Sequence, residues 1–126
     1  MNEGDLLAVY GLLRKGEVGF ARFGLANAFE HVGPCVIPGK LFDLGDYPGL
    51  VAGEGRVVGE LFLVRDMSVM PQLDAYEDYD ASDENGSRYL RRQVTLIEPQ
   101  ATAWVYLWNL GVEGCRPIAS GDWLAR

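Results

Sequence analysis

The chain is 126 residues long, 48% hydrophobic and 23% charged, the size and composition of one globular domain and too apolar for disorder. Eighteen acids against eleven Lys and Arg leave a net charge of −7, which argues against a binder that neutralises nucleic-acid phosphates and against a polybasic membrane anchor. Sixteen Gly and six Pro point to short elements joined by tight turns, hence a β-rich or α+β domain.

Leu6 to Tyr10 is an apolar run ending at Gly11 and predicts a fully buried first strand. Gly11 to Gly24, broken by four glycines, reads as a loop with one or two helical turns near Phe20 to Leu25. Phe29 to Ile37 and Lys40 to Leu44 read as two strands parted by Pro38-Gly39, and Asp46 to Gly49 as a turn. Arg56 to Val64 is rich in β-branched and aromatic residues and predicts a strand, with Gly59 marking a bulge or a close approach. One main helix follows. Asp66 or Ser68 caps it, Pro71 sits in its first turn, and Val69, Met70, Leu73 and Tyr76 keep helical spacing as far as about Asp78. Asp78 to Ser87 is a polar loop. Arg88 to Ile97 and Ala101 to Trp108 alternate as strands and are joined by a hairpin turn at Glu98-Pro99-Gln100. The sum is an α+β domain of roughly six strands, folded as a small barrel, with the helix between the fourth and fifth.

Cys35 and Cys115 lie far apart and His31 is the single histidine, so neither a zinc spacing nor a disulfide framework exists. No metal or cofactor is expected. The acidic start, Met1 to Asp5, lacks the basic residues and apolar run of a signal peptide, and no stretch approaches the roughly 20 apolar residues of a membrane helix. The expectation is a cytoplasmic protein with no nucleic-acid or membrane partner. Gly33 to Lys40 lacks P-loop spacing, Gly53, Gly55 and Gly59 lack the dinucleotide fingerprint, and Asp83 and Tyr89 break the calcium-loop pattern begun at Asp78. Cys35 reads as a core residue, and Arg88, Arg91 and Arg92 as partners of the acidic Asp78 to Glu84 loop.

Glu77 is the most informative residue. At about 100° per residue it projects within about 60° of the apolar stripe, whereas Asp74 and Asp78 turn toward solvent. Burial and the negative end of the helix dipole would both raise its pKa, as a general acid/base at neutral pH requires. The other reading is a boundary carboxylate that reaches water or pairs with an arginine. Tyr10-Gly11-Leu12-Leu13-Arg14 leaves the first strand either as an anion-binding nest of backbone N–H groups or as an ordinary turn.

Seven pieces, in order, resemble the γ-glutamylcyclotransferase-like family, including its bacterial members and the AIG2-like group. They are Tyr10 to Arg14, Gly39 to Phe42 with Tyr47-Pro48-Gly49, Val58 to Phe62, Leu73 to Glu77, Tyr89 to Arg91 with Val94, Ala103 to Tyr106, and Ile118 to Trp123. The resemblance implies a small mixed β-barrel with a main helix and a short second one. It also implies an enzyme that cyclises a γ-glutamyl amide to 5-oxoproline and releases the amine, with a small-molecule γ-glutamyl substrate and no cofactor. In that scheme Glu77 is the catalytic acid/base, and Tyr10, Gly11, Leu12 and Leu13 hold the glutamyl carboxylate and carbonyl through backbone N–H groups. Two residues depart from the pattern: Leu12 stands for the usual Ser or Thr, and Asp78 for the usual Gly, where its charge is expected to raise the pKa of Glu77 further. These departures keep a second hypothesis open, a non-catalytic binder of a small ligand or a partner, and fold alone also admits a different acid/base enzyme. The outer pocket is expected from Glu17 to Ala28 and Asp78 to Ser87.

Overall fold

The structure, a computed structural model, describes residues 1–126. Its elements run β1 (Leu6–Val9), α1 (Val18–Arg22), α2 (Leu25–Ala28), β2 (Phe29–Asp43), β3 (Pro48–Val64), α3 (Met70–Tyr76), β4 (Tyr89–Thr95), β5 (Thr102–Trp108) and β6 (Arg116–Pro117). The six strands form one sheet in the order β4-β5-β1-β3-β2-β6. It curls into a half-barrel, and an isolated bridge between Val36 and Glu98 joins the segment after β4 to β2. No helix is long and apolar enough to cross a membrane.

The strand count agrees with the sequence reading, but the partition differs. Phe29–Ile37 and Lys40–Leu44 are one strand, since pairing with β3 continues past Pro38-Gly39 through a register shift. The sixth strand is instead the two-residue β6, which pairs with the end of β2. β3 begins at Pro48, eight residues earlier than the glycines at 49, 53 and 55 indicate, because β2 supplies its pairing partners. Two short helices, α1 and α2, meet at Gly24, which adopts a left-handed backbone (φ 62°).

β1 carries the architecture. It pairs antiparallel with β3 (Leu6–Leu63 to Val9–Glu60) and parallel with β5 at Leu7–Trp104. Being central, it is covered on both faces, which is why it is apolar throughout rather than alternating. Leu7 and Val9 join Phe62, Leu25, Phe29, Met70 and Leu73 in one core, under the helices. Ala8 and Tyr10 join Ile37, Leu50, Val57, Val105 and Trp123 in the other, inside the curl.

α3 is prepared by a 3-10 turn at Met67–Val69, capped by Asp66 Oδ1, which accepts from the Ser68 N–H at 2.9 Å. Pro71 lies in its first turn and Met70 and Leu73 are buried. The helix ends at Glu77. Asp78 N–H donates to Ala75 O at 3.1 Å and Tyr79 N–H to Asp74 O at 2.8 Å, a Schellman closure with Asp78 in the left-handed conformation (φ 53°).

Candidate functional site

A pocket of about 170 Å³ opens where β1 ends. Its wall includes Tyr10, Gly11, Leu12 and Leu13 on one side and Glu77 on the other. Residues 67 positions apart, singled out separately in the sequence, therefore face one cavity. Tyr47, Pro48, Tyr76, Asp78, Arg88, Tyr89 and Tyr106 complete most of the lining. The outer wall comes from the start of β3 and from Asp78 and Arg88, while Glu17 to Ala28 contributes nothing to it. That corrects the expectation for those loops: α1 and α2 are spent covering the core, with Leu25 and Ala28 buried there.

The loop after β1 is held tightly. Arg14 N–H donates to Gly11 O at 3.0 Å, closing a turn over Leu12 and Leu13, and Leu12 O accepts from Gly19 N–H at 2.8 Å. The backbone N–H groups of Tyr10, Gly11, Leu12 and Leu13 have no protein acceptor, and all four residues line the pocket. Gly11 is required for space: a Cβ there would stand 2.7 Å from Pro48 Cγ. The Leu12 side chain packs against the inner core, so the apolar residue in place of a hydroxyl adds to packing.

Glu77 is half-buried by surface area. Burial of its carboxyl, then the negative charge of Asp74, pushes its pKa up to about 8. The charge that acts on it comes from Asp74 and not, as the sequence reading had it, from Asp78. Asp78 points outward and pairs with Arg88 at 3.4 Å. Asp74 is turned inward rather than to solvent. Its Oδ1 accepts from Arg91 Nη1 and from Tyr106 Oη, each at 2.8 Å, and its Oδ2 accepts from Arg91 Nη1 at 2.9 Å. Arg91 thus pairs with the helix, whereas Arg88 and Arg92 pair with Asp78 and Glu84 as expected. Around Glu77 stand Tyr10, Tyr76, Tyr89 and Tyr106, whose hydroxyl pKa values all lie above the usual range, first from burial and also from the Glu77 charge. Four tyrosines that stay neutral make a low-dielectric wall, which keeps the carboxyl poorly solvated.

Sequence reasoning missed the support behind the loop. Arg14, whose side chain is 10% exposed, donates from Nε to Glu60 at 3.1 Å and from Nη1 to Asp122 at 2.9 Å. Each of these three residues lies in one of the family-like pieces. Their complementary charges were the signal available, but no spacing pairs positions 46 and 108 residues apart. Cys35 is buried nearby, and burial pushes its thiol up to about 12, which makes it inert. No group of three or more His, Cys, Asp or Glu is placed to hold a metal ion.

The family model for gamma-glutamyl cyclotransferase, AIG2-like, matches residues 7–125. A Vibrio cholerae protein, provisionally named a gamma-glutamylcyclotransferase, is 36% identical over 124 residues, 96% of both chains. The gamma-glutamylcyclotransferase family protein YtfP of Escherichia coli K12 is 37% identical over 87 residues, 69% of each chain. The solution structure of Escherichia coli ytfP superposes with a TM-score of 0.67 at 31% identity, covering 94% of this chain and 96% of that one.

Proposed function

Because the chain belongs to the gamma-glutamyl cyclotransferase, AIG2-like family, we propose that it converts a γ-glutamyl amide into 5-oxoproline and a free amine, with Glu77 as the acid/base. The observation that carries this reading is a carboxyl with a pKa raised to about 8, in one pocket with a loop whose backbone N–H groups, those of Leu12 and Leu13 among them, have no protein acceptor. The substrate's α-nitrogen is an ammonium at neutral pH and cannot attack. Glu77, when ionised, takes a proton from it. The nitrogen then bonds to the γ-carbonyl carbon, and the carbonyl oxygen becomes an oxyanion. The N–H groups of Leu12 and Leu13 are suited to stabilise that charge. Glu77 passes its proton to the departing nitrogen, the old C–N bond breaks, and a second proton leaves the ring nitrogen. Overall, two protons move from the α-nitrogen to the released amine. The ring closes within one molecule, so the pocket need only hold the folded conformer, an orientation effect that supplies on the order of 7–11 kcal/mol.

The test is release of 5-oxoproline from a panel of γ-glutamyl amino acids, γ-glutamyl amines and glutathione. Turnover of at least one member is expected, with a loss of about a thousandfold or more in Glu77→Gln. Turnover that persists in Glu77→Gln removes the mechanism. Absence of turnover on every member, with binding retained, favours the non-catalytic ligand binder.

A further inference from the structure

A second pocket, of about 250 Å³, lies around the turn that follows β6 and shares no residue with the first. β6 lays Arg116 opposite Asp43 of β2, and Ile118 N–H donates to Leu41 O at 2.8 Å. Gly121 N–H donates to Ile118 O at 3.0 Å, closing the turn over Ala119 and Ser120. Ile118 and Trp123, one on each side of that turn, are buried in the inner core and fix it in place. Arg116, Ile118, Ala119, Ser120, Ala125 and Arg126 make most of the wall. It holds two cations and no acid, in a chain whose net charge is −7.

The donors there are largely uncommitted. Arg126 forms no ion pair. Its guanidinium lies 3.6 Å from the centroid of the Trp123 ring, and Nη1 donates to Trp123 O at 2.6 Å. A guanidinium stacked in this way loses little freedom when a ligand arrives. Arg116 pairs through Nη2 with Asp43 at 3.2 Å, and its side chain is 72% exposed, so the pair contributes little and yields readily. Asp43 is itself occupied, its Oδ1 accepting from Gly45 N–H at 2.8 Å. That N–H, and then the charges of Arg116 and Arg126, hold its carboxyl below the usual range, so both guanidiniums act on one spot. The backbone N–H groups of Ala119, Ser120 and Arg126 have no protein acceptor.

We propose that this second pocket binds a phosphate monoester, held by the guanidinium groups of Arg116 and Arg126 and by the N–H groups of the Ala119-Ser120 turn. The site is independent of the cyclotransferase reading. Two guanidinium groups and the free N–H groups offer more donors than the two oxygens of a carboxylate accept. The three terminal oxygens of a phosphate, with a charge of about −2, match them, and the planar fork of Arg suits that geometry. Ile118 and Ala125 supply apolar wall for the organic group. The ester is a dissolved one rather than a lipid headgroup, because a chain of charge −7 is repelled by an anionic membrane surface.

The test titrates phenyl phosphate onto isotope-labelled protein, above the second phosphate pKa of about 6, and follows amide NMR signals. Phenyl sulfate and benzoate are the controls. Saturable shifts are expected at Ala119, Ser120 and Arg126, with phenyl phosphate bound about tenfold more tightly than either control. Arg116→Gln and Arg126→Gln should each weaken binding by about tenfold. Ala119→Glu keeps both guanidiniums but adds a negative charge to the wall, and should abolish binding. Denaturant unfolding checks each variant, and Arg116→Gln with Ala119→Glu carry the test if Arg126→Gln loosens Trp123. No shift at millimolar ester overturns the proposal, as do shifts confined to the Tyr10 to Leu13 loop. Equal affinity for benzoate or phenyl sulfate also overturns it, as does binding unmoved by Arg116→Gln and Ala119→Glu. So does binding seen only to phosphatidylcholine vesicles that carry phosphatidic acid, which would assign the site to a lipid surface.

Discussion

At the scale of single residues, the pair Asp74 and Glu77 decides the chemistry. A base must be ionised to act, and a pKa near 8 leaves Glu77 largely protonated at pH 7. The acidic limb of kcat/KM should therefore climb toward pH 8. Asp74→Asn keeps an acceptor for Tyr106 and Arg91 but removes the negative charge. It should move that limb about one pH unit toward acid, and not to the ordinary Glu range, because burial is the larger cause and remains. A pH–rate profile of the variant checks this, and an unmoved limb would detach Asp74 from the site. Glu77 was legible because a helical wheel puts it beside the apolar stripe. Asp74 was not. The same wheel sends it outward, and nothing local reveals that Arg91 and Tyr106, 17 and 32 residues on, pass beneath it. Asp78 shows the reverse case. Its left-handed backbone explains why the position usually takes Gly, and its side chain turns away from Glu77 to Arg88.

At the scale of elements, the pocket depends on a close approach between the β1 loop and the start of β3. Gly11→Ala would press a methyl against the Pro48 ring, which cannot swing aside, while Tyr89 Oη holds the Pro48 carbonyl. The cost should be about 1–3 kcal/mol by denaturant unfolding, with a raised KM. Gly111→Ala is the control: no atom lies within 4 Å of its Cβ position, and the change should stay within about 0.5 kcal/mol. The strands show why local signals partition a sheet wrongly. Pro38-Gly39 has turn chemistry, yet here it is a bulge. Gly39 adopts φ 140° against β3, and the long partner strand carries the pairing across it. Where both partners were strongly alternating, as in β4 and β5, the sequence reading placed them to within two residues.

At the scale of the whole molecule, Arg14 ties the loop to β3 and to the final turn through Glu60 and Asp122. Replacing Arg14 by Met strips Glu60 and Asp122 of their shared cation, one of them with a side chain only 14% exposed, and should cost about 3 kcal/mol. Adding Glu60→Gln and Asp122→Asn should recover most of it, measured by unfolding of the single and triple variants. If the triple is no better than the single, the loss is one of packing instead. β1 adds a consequence of another kind. It is the middle strand of a sheet whose two halves, β2 with β3 and β4 with β5, are hairpins that can each form from nearby chain. Its partners lie 51 to 57 and 97 residues away in sequence, at Leu63 to Glu60 and at Trp104. The pocket draws Pro48 from one hairpin, Tyr89 and Tyr106 from the other, and its loop from the end of β1. It lies on a seam and exists in neither half alone. A molecule seated there works as a clasp: it binds only the joined form and so slows every opening that parts the hairpins. Protection of β1 amides from hydrogen exchange is then a measure of occupancy that requires no turnover at all.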